Sequence, residues 1–230
     1  MKKTIAILLI LVSVFSLAAC KKGDKETIDR VGEMFISSNP TKILMSTSQT
    51  YGDTVLEGDY VLLKGVVNGL AATVYTENYD ELISVDDSGA SSVVTGSVVE
   101  KSSVMEYLEG YGVRVDGGAW DNMAVDFYSE VGPMSLNISS DYISEFSYEN
   151  NKFSCVVEAK NTAEVLGLEN DLSVDISIET IDDGASMTAI VIYYTIPADE
   201  SIEAPKQDIK IKAYYFYDVQ NIVISNIDGE

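Results

Sequence analysis

The hydrophobic positions of the chain follow two periods. Ile28, Val31, Phe35 and Ile36 stand at i, i+3, i+7 and i+8, one face of a helix, with Thr27 as its cap and Asn39-Pro40 ending it. From Ile43 the period drops to two, and segments 43–51, 55–67 and 70–79 read as three strands. Gly52-Asp53 and Asn68-Gly69 join them; the second pair is the strongest short hairpin signal, so the stretch reads as an antiparallel meander. Leu56, Tyr60 and Leu62 share one face while Glu57 and Asp59 share the other, which leaves part of one side wet.

Residues 84–103, rich in Ser, Gly and Val, carry no sustained period and read as a mobile loop holding a short strand. Shorter strands follow at 104–109, 112–115 and 119–127, punctuated by Gly110 and by Asp116-Gly117-Gly118, and 136–138 pairs briefly. Segments 144–148 and 152–159 form a hairpin around Asn150-Asn151, and Asn161 with Glu164 reads as the capping box of a two-turn helix. Leu172, Val174, Ile176 and Ile178 then alternate with Ser173, Asp175, Ser177 and Glu179 before Asp183-Gly184 turns the chain into 187–196; strands at 209–217 and 221–225 complete it. In 189–194 and 213–217 both alternating faces are apolar or aromatic, so these strands are expected to be covered on both sides, by the two helices or by an apolar ligand held between helices and sheet.

The first twenty residues obey neither period. Lys2 and Lys3 precede an apolar run from Ile5 to Phe15, and small residues stand just ahead of Cys20, the layout of an export signal. As a helix the run reaches only about 20 Å, short of the roughly 30 Å a spanning helix must cross. Leu17-Ala18-Ala19-Cys20 resembles the bacterial lipobox. That resemblance implies a diacylglyceryl thioether on the Cys20 sulfur, cleavage before it and palmitate-type acylation, hence a protein anchored by lipid to the extracytoplasmic face of the cell membrane. Each buried methylene contributes about 0.8 kcal/mol, so two acyl chains hold far more firmly than one. The expected division is a signal peptide over 1–19, a short basic tether over 20–26 and a single domain over 27–230. So short a tether keeps the body close to the bilayer.

Charge narrows the partners. The formal net charge is −22, and loss of Lys2 and Lys3 with the signal takes it to about −24, which excludes a basic nucleic-acid footprint. Cations, cationic partners and neutral apolar ligands remain. Lys21, Lys22 and Lys25 make the foot basic, each worth about 1 kcal/mol at an anionic leaflet. Removal of the first 19 of 230 residues leaves 211, enough for one core. With Cys20 consumed, Cys155 has no partner for a disulfide, and its alternation with Phe153 and Val157 makes it a buried, inert thiol.

Chemistry-bearing motifs are scarce. The chain has no histidine, so Ser-His-Asp and Cys-His catalysis are unavailable, and it carries no P-loop, dinucleotide fingerprint or G-x-S-x-G. Acid clusters at Asp86-Asp87, Asp116 with Asp121, and Asp182-Asp183 do not fit the calcium-loop spacing and read as turn chemistry. No metal, cofactor or enzymatic activity is expected.

An exported chain that begins with a helix and runs into long antiparallel strands, with Gly-Val-Arg-Val-Asp-Gly-Gly-Ala-Trp at 112–120, resembles the LolA/LppX-like lipoprotein superfamily. The resemblance lies in element order over most of 27–225 and assigns no residue. It implies an α+β, mainly β fold: one strongly curved antiparallel sheet, a half-open barrel, with one or two helices on the concave side, where several members carry lipid. The expected function is that of a non-catalytic, membrane-anchored binding module for a lipid or other apolar ligand. Phe35, Trp120, Tyr193 and Tyr215 are the candidate lining residues and Cys20 the lipidation site. The alternative is an acidic surface module for a cationic protein or calcium.

Overall fold

A computed structural model of the chain describes residues 25–37, 39–84, 96–122, 136–143, 145–201, 204–218 and 221–225. Residues 1–24, with the expected signal, the expected lipidation site Cys20, and Lys21 and Lys22, lie outside them. Helix α1 (Lys25–Ser37) comes first and takes in Lys25 and Glu26, assigned above to the tether, so that Thr27 sits within the helix rather than capping it. Strands β1 (Lys42–Tyr51), β2 (Thr54–Val67), β3 (Leu70–Ser84), β4 (Gly96–Leu108) and β5 (Gly112–Val115) form one meander. Strands β6 (Phe146–Glu149), β7 (Lys152–Val157), β8 (Ile176–Asp182), β9 (Met187–Ile196) and β10 (Gln207–Phe216) form a second, with the one-turn helix α2 (Thr162–Leu166) between β7 and β8.

The two meanders make one ten-stranded antiparallel sheet in the order β5-β4-β3-β2-β1-β10-β9-β8-β7-β6. Its seam joins the first strand to the last, from Lys42 opposite Phe216 to Tyr51 opposite Gln207. The ends, β5 and β6, are not paired with each other, so the sheet stays open. Laid flat, its nine inter-strand steps would span about 43 Å, whereas α1 is about 20 Å long. Nevertheless α1 shares one buried cluster with Val113 of β5 at one end and with Phe153 and the half-buried Phe146 at the other. The sheet therefore curves around the helix, and the fold is α+β, mainly β.

Among the described residues, a three-part plug fills the concavity. Helix α1 turns Ile28, Val31, Met34 and Phe35 inward, each worth about 2 kcal/mol of burial; the side chain of Ile36 lies outside the description. A connector, 136–143, buries Leu136, Ile138 and Ile143. Asp29 accepts the Ser140 backbone N–H at 3.0 Å, tying α1 to the connector. The connector in turn is tied to α2, because Asn137 N–H reaches the Val165 carbonyl at 3.0 Å and the Asn161 amide donates to the Tyr142 carbonyl at 3.0 Å. That bond takes the Asn161 side chain away from the expected capping box; Asp171 accepts the Ala163 N–H at the start of α2 instead.

Several expectations need correction. Residues 96–103 are not loop but the first half of β4, paired to β3 from Ser84 opposite Gly96 onward; 85–95 lie outside the described residues. Residues 119–122 form only an isolated bridge, Val113 to Asp121, and the rest of that expected strand is undescribed. The 136–138 segment buries Leu136 and Ile138 but pairs with no described strand. Segment 221–225 is not a strand either: it lies across the other face of the sheet, burying Ile222 and Ile224 against Ala72 and Leu108. The turns behave as read, with Asn68-Gly69 and Asn150-Asn151 all at positive φ.

Candidate functional site

The hairpin registers set side chains from successive strands in rows, and two inner rows define the candidate site. One runs Ser103, Glu77, Tyr60, Met45, Ala213, Ile190, Thr180, Phe153 and Tyr148 from β4 to β6. The next runs Lys101, Tyr79, Gly58, Thr47, Ile211, Ile192, Ile178, Cys155 and Phe146. Over β7–β9 both rows are closed under the plug and, Thr180 apart, apolar: Ile178 and Phe153 have no exposure and Ile192 has 1%. Toward the first meander they open. Tyr60, Met105, Tyr194 and Ile211 pack against the core yet remain partly exposed, and Thr47, Glu77, Tyr79 and Ser103 are half-exposed around them.

This open half of the concave face is aromatic and hydroxyl-rich. The Tyr60 and Tyr75 rings stack with centroids 6.5 Å apart. Gly58 makes the stack possible, because a Cβ there would lie 2.8 Å from both the Tyr60 and Thr47 hydroxyls. Tyr75 donates to Glu77 Oε2 at 3.1 Å and Ser103 to Oε1 at 3.0 Å. Burial pushes the Tyr60 hydroxyl above its ordinary range, with Thr47 pulling the other way and Glu77 adding to the rise. Burial alone raises Tyr194.

The four candidate lining residues divide between the two faces. Phe35, on the inward side of the plug, and Tyr215, beneath it, belong to the core, where the Tyr215 hydroxyl has no partner among the described residues and burial raises its pKa. Trp120 lies on the convex side, its ring under the Arg114 guanidinium at 4.6 Å and beside Tyr111 at 5.8 Å. Tyr193 also points outward, 44% exposed, with its hydroxyl near Thr195 and Asp208. The expectation that 189–194 and 213–217 are covered on both sides is corrected with it: Tyr214 is 48% and Phe216 40% exposed, because the whole plug sits on the inner face. Phe216 is shielded by Lys42 stacked 5.4 Å from its ring.

The outer face carries its own polar features. A depression of about 320 Å³ over β1 is lined by Ser46, Ser48, Glu57, Asp59, Lys210 and Lys212. Further along, Arg114 Nε pairs with Glu106 Oε2 at 2.5 Å, both nearly buried, and Arg114 Nη2 donates to the Ser225 carbonyl of the crossing segment. Of the acid clusters, Asp182-Asp183 serves its turn and Asp116 holds the β4 backbone. Asp116 accepts the Val104 N–H, Asp182 accepts from Gly184 N–H and the Tyr148 hydroxyl, and Asp183 accepts from Ala185 and Ser186, whose N–H groups hold it below the usual carboxylate range. Asp86 and Asp87 lie outside the described residues. Among the described residues no group of three or more His, Cys, Asp or Glu is placed to hold a metal ion. Nor is any described helix long and apolar enough to cross a membrane.

Sequence reasoning passed over Tyr60, Glu77, Tyr194 and Ile211, although a signal existed. A two-residue turn at Asn68-Gly69 fixes the register of β2 on β3 and so places Tyr60 opposite Glu77. On β9, Ile190 and Ile192 share the inner face with Tyr194, not Tyr193. No family model matches the chain, and no curated protein matches it. Among solved structures, it is matched by a DUF1329 family protein from Desulfovibrio piger, with a TM-score of 0.26 and 9% identity over 87% of this chain and 96% of that one.

Proposed function

We propose that this chain is a lipid-anchored, extracytoplasmic binding module that holds a lipid or other apolar ligand on the open half of its concave face, in the manner of the LolA/LppX-like lipoproteins it resembles in element order. The observation that carries the reading is the asymmetry of the inner rows. The plug closes them over β7–β9, while Met105, Tyr60, Ile211 and Tyr194 keep partly exposed apolar surface beside the same core. Partly covered apolar surface in a concavity, with a few polar groups at its margin, is the usual make-up of a small-molecule site. The lipobox at Leu17-Ala18-Ala19-Cys20 and the short tether would keep this face near the bilayer. The module has no catalytic role in this reading.

The alternative, an acidic module for a cationic protein or calcium, draws on the net charge of −22. Among the described residues no three acids stand together to hold a metal ion, and Asp116, Asp182 and Asp183 each already accept a backbone N–H. The test is mass spectrometry of small molecules extracted from the purified protein, run beside an Ile211→Glu variant that puts a charge into the open face. A lipid that accompanies the wild type and is depleted from the variant supports the binding module. Equal lipid in both, or none in either, contradicts it.

A further inference from the structure

The open half of the concave face has a charged centre. Glu77 stands on β3 with Tyr75 and Tyr79 two residues to either side on the same face, Tyr60 directly opposite on β2 and Ser103 directly opposite on β4. Each carboxylate oxygen accepts one hydroxyl, Oε2 from Tyr75 and Oε1 from Ser103, which leaves each with acceptor capacity. Among the described residues no lysine or arginine pairs with it; Lys101, one step along β4, is turned to Glu81 at 3.5 Å. A half-buried carboxylate held in place by two hydroxyls and flanked by half-exposed tyrosine rings is complementary to an organic cation. The charge attracts it at short range, and the ring faces attract it through their quadrupoles.

Resting on the binding module proposed above, we infer that the ligand of the concave face carries a positively charged head, an ammonium or substituted ammonium group, seated between Glu77 and the Tyr60 and Tyr79 rings, with its apolar part running over Gly58 and Thr47 toward Ile211. The overall charge of −22 favours the approach of a cation to this surface. A carboxylate or phosphate monoester head would meet Glu77 as a like charge and be rejected.

Titration calorimetry of the full chain with three probes of one chain length, decyltrimethylammonium, 1-decanol and decanoate, each below its micelle-forming concentration, separates head from tail. The expected result is that the cationic probe binds about tenfold tighter than the alcohol, the size of one partly desolvated cation–π contact, and that decanoate binds weakest. Glu77→Gln should abolish the preference by weakening the cationic probe about tenfold relative to the alcohol, although it removes only one of many acids and so cannot alter unspecific attraction much. Tyr60→Ala should reduce the preference and Tyr60→Phe retain it, which covers the case of a Glu77→Gln chain that fails to fold. Equal binding of cation and alcohol, or a preference that survives both Glu77→Gln and Tyr60→Ala, overturns the charged-head inference while the apolar site stands. No binding of any probe overturns both.

Discussion

Gly32 of α1 faces the backbone carbonyl of Ile138 so closely that a Cβ on residue 32 would run into the carbonyl oxygen. The connector thus crosses the helix at the one place where the helix has no side chain, and the plug seats as a unit.

Gly32→Ala should therefore destabilise. On an unobstructed helix the same change stabilises by about 1 kcal/mol through propensity, but here the clash with rigid backbone costs about 1–3 kcal/mol. Urea unfolding monitored by circular dichroism should show a lower midpoint for the variant. A raised midpoint would mean that the connector does not lie against α1.

On the outer face, removing one partner of the Arg114–Glu106 pair leaves a buried charge uncompensated. Arg114→Met or Glu106→Leu alone is expected to cost about 3–5 kcal/mol, and the two together much less. Additive losses in this double-mutant cycle would contradict the coupling. Arg114→Met should also release the 221–225 segment, since the Ser225 carbonyl loses its donor.

Burial lifts the Cys155 thiol from an ordinary 9.0 to about 12. Because the folded form binds this proton more tightly than the unfolded one, the stabilisation is fully present below pH 9.0. It is lost as pH rises toward about 12, at up to roughly 1.4 kcal/mol per pH unit. Cys155→Ala should flatten part of that alkaline decline, the remainder coming from Tyr60, Tyr194 and Tyr215, which burial also raises. In the native protein at pH 8 the thiol should resist an aromatic disulfide reagent and react once the chain is unfolded. Rapid native labelling would place Cys155 at an accessible surface.

Replacing Cys20 with Ala should release the protein from membranes or leave it unprocessed. Normal processing with full membrane retention would remove the lipid anchor from the picture.

Much of this fold is written in local pattern. The span 187–196 coincides with β9, and the Asn68-Gly69 and Asn150-Asn151 turns fix two registers, because φ-positive dipeptides between alternating runs leave the chain little choice. The misread parts share a cause. Gly96 to Ser103 form a strand by pairing with β3, not by burying a face, so Ser97, Glu100, Lys101 and Ser102 show no apolar period. Ile222 and Ile224 have the strand period and are buried alternately, but their segment lies on the sheet instead of in it, a difference of hydrogen bonding that side-chain pattern does not carry. For the site, residue type was a poor guide: Trp120 and Tyr193 are aromatic but outward, and only the parity shared with Ile190 and Ile192 distinguishes Tyr194.

The most direct test of the concave site is methyl NMR of the folded chain titrated with 1-decanol, a neutral probe that reports on apolar binding alone. Shifts confined to Met45, Met105, Ile209 and Ile211, with the outward Val156 and Ile181 unmoved, are the predicted result. Shifts at Val156 and Ile181, or no saturable shift at the four inner methyls, would contradict a ligand site on the open half of the concave face.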